Sequence, residues 1–141
     1  MKKVKDRDVL RILKKDGVKN NNFKSENKLV SDLTNIIRSN INKKNWSQRL
    51  INTESNSATL ICQQPGEGNR RHYHSNWNEW WYIVDGKWEF EIEGKKTIIK
   101  KNQVILIKKN KKHKITAIGN KPAIRLAVSR ADVDHIYLVD E

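Results

Sequence analysis

A single cysteine, Cys62, leaves this chain of 141 residues without a partner for an internal disulfide. That scarcity fits a reducing compartment, so a cytoplasmic location is expected. Cys62 lies in Ala58-Thr-Leu-Ile-Cys62 and reads as a strand residue packed like a small hydrophobe, with nothing nearby to mark a reactive thiolate. No apolar run is long enough to cross a membrane. The basic opening Met1-Lys-Lys-Val-Lys5 is followed by Asp6, Arg7 and Asp8 instead of the apolar stretch of a signal peptide. Acidic side chains are also short, 16 against 29 lysines and arginines, a formal net charge of +13. Such an excess invites a nucleic-acid reading. The excess is mostly lysine scattered among asparagine and isoleucine, arginines that read bases are few, and no recognisable binding motif is present, so nucleic acid is not the expected partner. The densest cluster, Lys108 to Lys114, reads as a solvated loop that could also steer acidic small molecules.

The pattern changes near residue 45. Before it, Asp6 to Lys15 carries Val9, Leu10, Ile12 and Leu13 at helical spacing with Gly17 as a stop. A second helix is predicted from Ser25 through Arg38, with Leu29, Val30, Leu33, Ile36 and Ile37 on one stripe. Two such helices without a third and without a tight turn do not make a helix-turn-helix, and they are read as cover for the rest of the chain or for a subunit interface. From Trp46 onward short strands alternate with turn signals, the pattern of an all-β barrel or sandwich. Strands are predicted at 46–51, 57–63, 79–84, 87–93, 96–100, 103–107, 114–118 and 123–128. A hairpin is predicted across Asp85-Gly86 and a second turn at Glu93-Gly94. The division is then a helical extension over 1–45, a β-barrel over 46–130 and a tail over 131–141.

His72 and His74 stand two apart, so on a strand both imidazoles leave one face. Glu79 follows after a spacing that permits a short turn and brings a carboxylate beside them. His113, opening a later strand, is the natural fourth ligand. Imidazole and carboxylate together suit a divalent transition metal. His135, in the tail, has no evident partner and is read as a surface residue.

The spacing Gly66-x5-His72-x-His74-x4-Glu79-x6-Gly86 resembles the first motif of the cupin superfamily. The second motif is degenerate: His113 occupies its ligand position, while Lys108, Asn110 and Ala117 replace the usual Pro, Gly and Asn. Asn110 can adopt the left-handed backbone that a turn glycine would supply. The resemblance covers about residues 46–130. It implies an all-β fold, a single cupin-type β-barrel (a jelly-roll-like double-stranded β-helix), and one metal held by His72, His74, Glu79 and His113.

Three histidines and a glutamate on an octahedral ion leave two positions for water or substrate. Such a site can activate dioxygen at Fe(II), act as a Lewis acid in isomerase or lyase chemistry, or hold a ligand without turnover. Fe(II) and dioxygenase-type chemistry are favoured, with Mn, Ni, Co or Zn as alternatives. Parity points Arg70 inward with the histidines, where its planar fork would clamp a carboxylate or phosphate; a surface ion pair is its other reading. Trp81 shares the parity of Glu79 and Ile83 and could line the cavity. Tyr82 is the other aromatic carried as a substrate contact, being the only acid or base candidate apart from the ligands. The expected substrate is a compact anion. Trp80, Tyr82 and Val84 face outward together, which predicts cover by the N-terminal helices or a homodimer.

Overall fold

The structure is a computed structural model describing residues 2–5 and 9–138. Its strands are β1 (Lys2–Lys5), β2 (Asn21–Asn22), β3 (Trp46–Asn52), β4 (Ser57–Gln63), β5 (His72–Tyr73), β6 (Glu79–Asp85), β7 (Lys87–Ile92), β8 (Lys95–Lys100), β9 (Val104–Ile107), β10 (His113–Ile118), β11 (Ala123–Ser129) and β12 (Asp134–Tyr137). Two short helices, α1 (Val9–Lys15) and α2 (Leu33–Ser39), precede β3. The strands form two six-stranded sheets, in the orders β1-β12-β5-β10-β7-β8 and β2-β3-β4-β11-β6-β9. This is the double-stranded β-helix expected from the sequence, with helices at its N-terminal side.

Alternation builds the core as the sequence predicts. Glu79, Trp81 and Ile83 of β6 point inward, as do Trp88 and Phe90 of β7. Together with Ile99, Ile107, Ile115, Ala117 and Ala123 they fill the space between the sheets. β4 is buried along its whole length. Leu60 and Cys62 pack with Trp46 and Leu50 beneath Leu33, Ile36 and Ile37 of α2, while Ile61 packs with Val9 and Leu13 of α1. Burying the three apolar side chains Val9, Ile12 and Leu13 contributes roughly 1.5–3 kcal/mol each to holding α1 in place.

Three local expectations are corrected. Asp85-Gly86 does not close a hairpin, because β6 and β7 belong to different sheets. Gly86, at φ +76°, turns the chain from one sheet to the other, and its absent Cβ would stand 2.7 Å from the Ala123 Cα. The true hairpin is β7–β8, where Ile92 pairs with Lys95 across Glu93-Gly94, both at positive φ, as a type I′ turn requires. The second helix starts at Leu33, not Ser25. Asn27 sits at φ +64°, donates from its backbone N–H to Leu50, and accepts from the Asn52 N–H, which ties that segment to β3. Asp32, extended, then caps α2 by accepting from the Asn35 N–H. Leu29 and Val30 are left exposed, and the predicted stripe keeps only its second half. Finally, strand pairing continues past residue 130: β12 lies between β1 and β5. Residues 6–8, where the first helical pattern was expected to open, lie outside the described residues. No described helix is long and apolar enough to cross a membrane.

Candidate metal centre

The site draws on both sheets, with His72 on β5, His74 just after it, His113 on β10 and Glu79 on β6. His72 on β5 faces His113 on β10 directly in register. On the other side of β5, Tyr137 of β12 pairs with His72 and Ile136 with Tyr73. The loop entering β5 is fixed against β10. Asn69 donates to Ile115 O and accepts from the Ile115 N–H, while the Gly66 N–H donates to Ala117 O. Gly68 is required here, since a Cβ would meet the Ile115 carbonyl oxygen at 1.9 Å. The left-handed Asn110 expected at the second turn is present at φ +68°, and its N–H donates to His74 O.

One nitrogen from each of His72, His74 and His113 lies within 4.8 Å of the others, and all three rings are buried. Their Nδ1 atoms face backbone carbonyls: Arg70 O at 2.7 Å, Asp134 O at 2.7 Å and Lys111 O at 2.9 Å. A carbonyl only accepts, so each Nδ1 carries a proton, and a neutral ring then presents an Nε2 lone pair. Glu79 Oε1 stands 2.8 Å from His74 Nε2. That separation calls for a positive charge, either a proton on Nε2 or a metal ion beside the two atoms. Ligands in adjacent positions around an ion, each at about 2.1 Å, stand about 3 Å apart. The donor set therefore fits a divalent transition metal.

Burial keeps two of the rings, His72 and His113, neutral. Burial holds the His72 pKa well below the usual imidazole value, helped by the neighbouring His113, His74 and His135. Burial and His74 bring His113 down to about 4. Burial pulls the Glu79 carboxyl upward, but His74 outweighs it and sets Glu79 at about 2, so it is a carboxylate at neutral pH.

The other sequence candidates divide. Trp81 is buried, with its ring 5.9 Å from that of His113. It lines a cavity of about 50 Å³ together with His72 and Glu79. Arg70 is not among the residues lining that cavity. Its Nε donates to Asp16 Oδ1 at 2.6 Å and its guanidinium lies 4.1 Å from the centre of the Tyr137 ring. Burial raises the Asp16 pKa against the opposing pull of Arg70. Tyr82 faces away on β6 and donates its hydroxyl proton to Asn102 Oδ1, 2.6 Å away on the exposed side. Neither residue is brought to the histidines' cavity.

His135 is the clearest correction. It is buried, not a surface residue, and stacks on His72 at 5.1 Å and edge-on to His74 at 4.6 Å. Burial and His74 set it at about 3. β12 holds it there because Asp134 accepts from the Ser75 N–H and hydroxyl, and the Asp134 N–H donates to Asn76 Oδ1. The spacing His135-x-Tyr137 repeats the two-residue period of His72-x-His74 and was the available signal. Arg125 was missed as well. Inward parity with Ala123, Ala127 and Ser129 on β11 places it inside the barrel, among small side chains that leave it room.

Comparison with known proteins agrees with the fold. The Cupin_2 family, described as a cupin domain, matches residues 59–129. No curated protein sequence matches. Among solved structures, a double-stranded β-helix protein of Klebsiella pneumoniae aligns with TM-score 0.60 and 18% identity, over 68% of this chain and 81% of that one. An RmlC-like cupin of Methanocaldococcus jannaschii aligns with TM-score 0.57 and 23% identity, over 64% and 83%. The oxalate decarboxylase of Lactobacillus farciminis, in a formate complex, aligns with TM-score 0.55 and 26% identity, over 60% of this chain and 27% of that chain.

Proposed function

Because the chain belongs to the cupin family, we propose that it is a metal-dependent enzyme acting on a compact anionic small molecule. The observation that carries this reading is the convergence of His72, His74 and His113 with the Glu79 carboxylate, each imidazole oriented by a backbone carbonyl. When bound there, a divalent ion supplies Lewis acidity or, as Fe(II), a route to dioxygen. The chain's own contribution is to keep the rings neutral, to fix their tautomer, and to bury the site away from bulk water. Fe(II)-dependent oxygenation is the first chemistry proposed. Lewis-acid isomerase or lyase chemistry is the second, favoured by the likeness to an oxalate decarboxylase. A cupin that binds ligand without turnover is the remaining alternative.

The test is elemental analysis of protein purified without added metal. About one transition metal per chain is expected for the wild type and a near-complete loss for the His72→Ala, His74→Ala double variant. Equal metal content in the two proteins refutes the centre. An anaerobic substrate screen followed by admission of oxygen then separates oxygenation, which consumes oxygen, from isomerase or lyase turnover, which does not.

A further inference from the structure

The barrel interior holds a second feature that the metal ligands do not use. Arg125 sits on β11 opposite Ile61 of β4 and Ile83 of β6. The pairing with β6 shifts by one residue between Ile124 and Arg125, and Arg125 shares the inward face with Trp81. Its guanidinium lies over the Trp88 ring at 4.6 Å and the Trp81 ring at 5.3 Å. Nη1 donates to Gln63 Oε1 at 2.6 Å, while Nε, also buried, has no hydrogen-bond partner.

A buried guanidinium is costly to leave without an anion. The nearby carboxylates are engaged elsewhere: Asp16 accepts from Arg70, and Glu79 lies against His74. Both act on Arg125 only through their fields, which oppose the effect of burial in setting its pKa at about 10. Arg125 therefore stays a cation at neutral pH. Two more buried donors on the same cavity also have no partner, Trp81 Nε1 and Ser129 Oγ. A concave surface with surplus donors and a fixed positive charge selects a ligand that only accepts.

We propose that this cavity is a carboxylate-binding pocket anchored by Arg125, with Trp81 Nε1 and Ser129 Oγ as further donors. It rests on the reading of the neighbouring cluster as a metal centre and narrows its substrate to a small carboxylate. His72 and Glu79 line the same cavity, so one end of the ligand meets Arg125 while the other meets the cluster. A volume of about 50 Å³ suits a compact ligand, since a water needs roughly 10–15 Å³ on the same measure. The role first read for Arg70 thus passes to Arg125.

The test titrates acetate, and acetamide as its neutral counterpart, into the protein with and without zinc, a diamagnetic probe. Nitrogen-edited NMR follows the Arg125 Nε–H and Trp81 Nε1–H signals of the wild type, so the result does not depend on a variant folding. Acetate should move both signals saturably and acetamide should not. Arg125→Lys, which keeps the charge and loses the fork, should weaken acetate by about tenfold at unchanged zinc content. Acetate that leaves the Arg125 signal unmoved, or binds Arg125→Lys equally well, overturns the pocket. Zinc uptake without Arg125-dependent binding sinks the pocket alone. Arg125-dependent acetate binding by a chain that takes up no zinc sinks the metal centre alone.

Discussion

At the scale of single residues, the site depends on imidazoles that stay neutral where free histidine would begin to charge. Burial lowers the folded-state pKa of His113 to about 4 and of His135 to about 3, and holds His72 well below its ordinary value. In the unfolded chain these rings titrate near 6.5. Below that pH the unfolded state binds protons that the folded state refuses, so stability falls as pH drops from about 6.5 toward 4 and below. Glu79, lowered to about 2, acts in the same direction below its unfolded value near 4.5. Urea unfolding of the metal-free chain should therefore show a midpoint that declines steadily from pH 7.5 to pH 5; a flat or rising midpoint contradicts it. The spacing of His72, His74 and Glu79 was legible because a strand's period of two and one turn fix it, and His113 was legible as the opening of a later strand. His135 and Arg125 were harder to see. Arg125 is an isolated charge in a mostly apolar strand and His135 follows Asp134 in a four-residue one, and only the neighbouring strand reveals which face is inside.

At the scale of elements, the loop over β10 rests on one position without a side chain. Gly68→Ala would force a methyl to within 1.9 Å of the Ile115 carbonyl oxygen, and that oxygen belongs to backbone that accepts from Asn69. A loss of roughly 3 kcal/mol or more is expected, with metal binding weakened because the same loop leads into His72. Denaturant unfolding combined with metal titration would read both; an unchanged midpoint argues against the close approach. At α2, Asp32→Ala removes the cap to the Asn35 N–H and should cost about 1 kcal/mol without affecting metal content. These elements also show where the chain's local signals fell short. Asp85-Gly86 has a hairpin's composition, but a glycine that turns one residue looks the same as one that turns two until the strands' partners are known. The apolar stripe over 25–38 was cut by Asn27, whose bonds reach residues 50 and 52 and have no local signature.

At the scale of the whole molecule, the outward face of β6 is covered unevenly. Val84 packs beneath α2, but Trp80 remains 39% exposed beside Val104 and Leu106 of the edge strand β9. A second copy meeting across this stripe is the assembly we propose, since an open strand edge flanked by apolar side chains pairs readily with its own copy. Sedimentation should show a dimer that Leu106→Lys disrupts; a clean wild-type monomer at micromolar concentration refutes it. Elsewhere in the molecule, His72, His74, Glu79, His113 and Arg125 are all buried, and α1 supplies Val9, Ile12 and Leu13 to the wall of the cavity that His72, Glu79 and Arg125 line. That cavity is partly open to solvent, and the seven-residue α1 forms one part of its wall. Loosening that helix is expected to widen the way into the barrel. Leu13→Ala should consequently push two observables in opposite directions. Unfolding would become easier by about 2–4 kcal/mol, while stopped-flow uptake of metal by the folded chain would become faster.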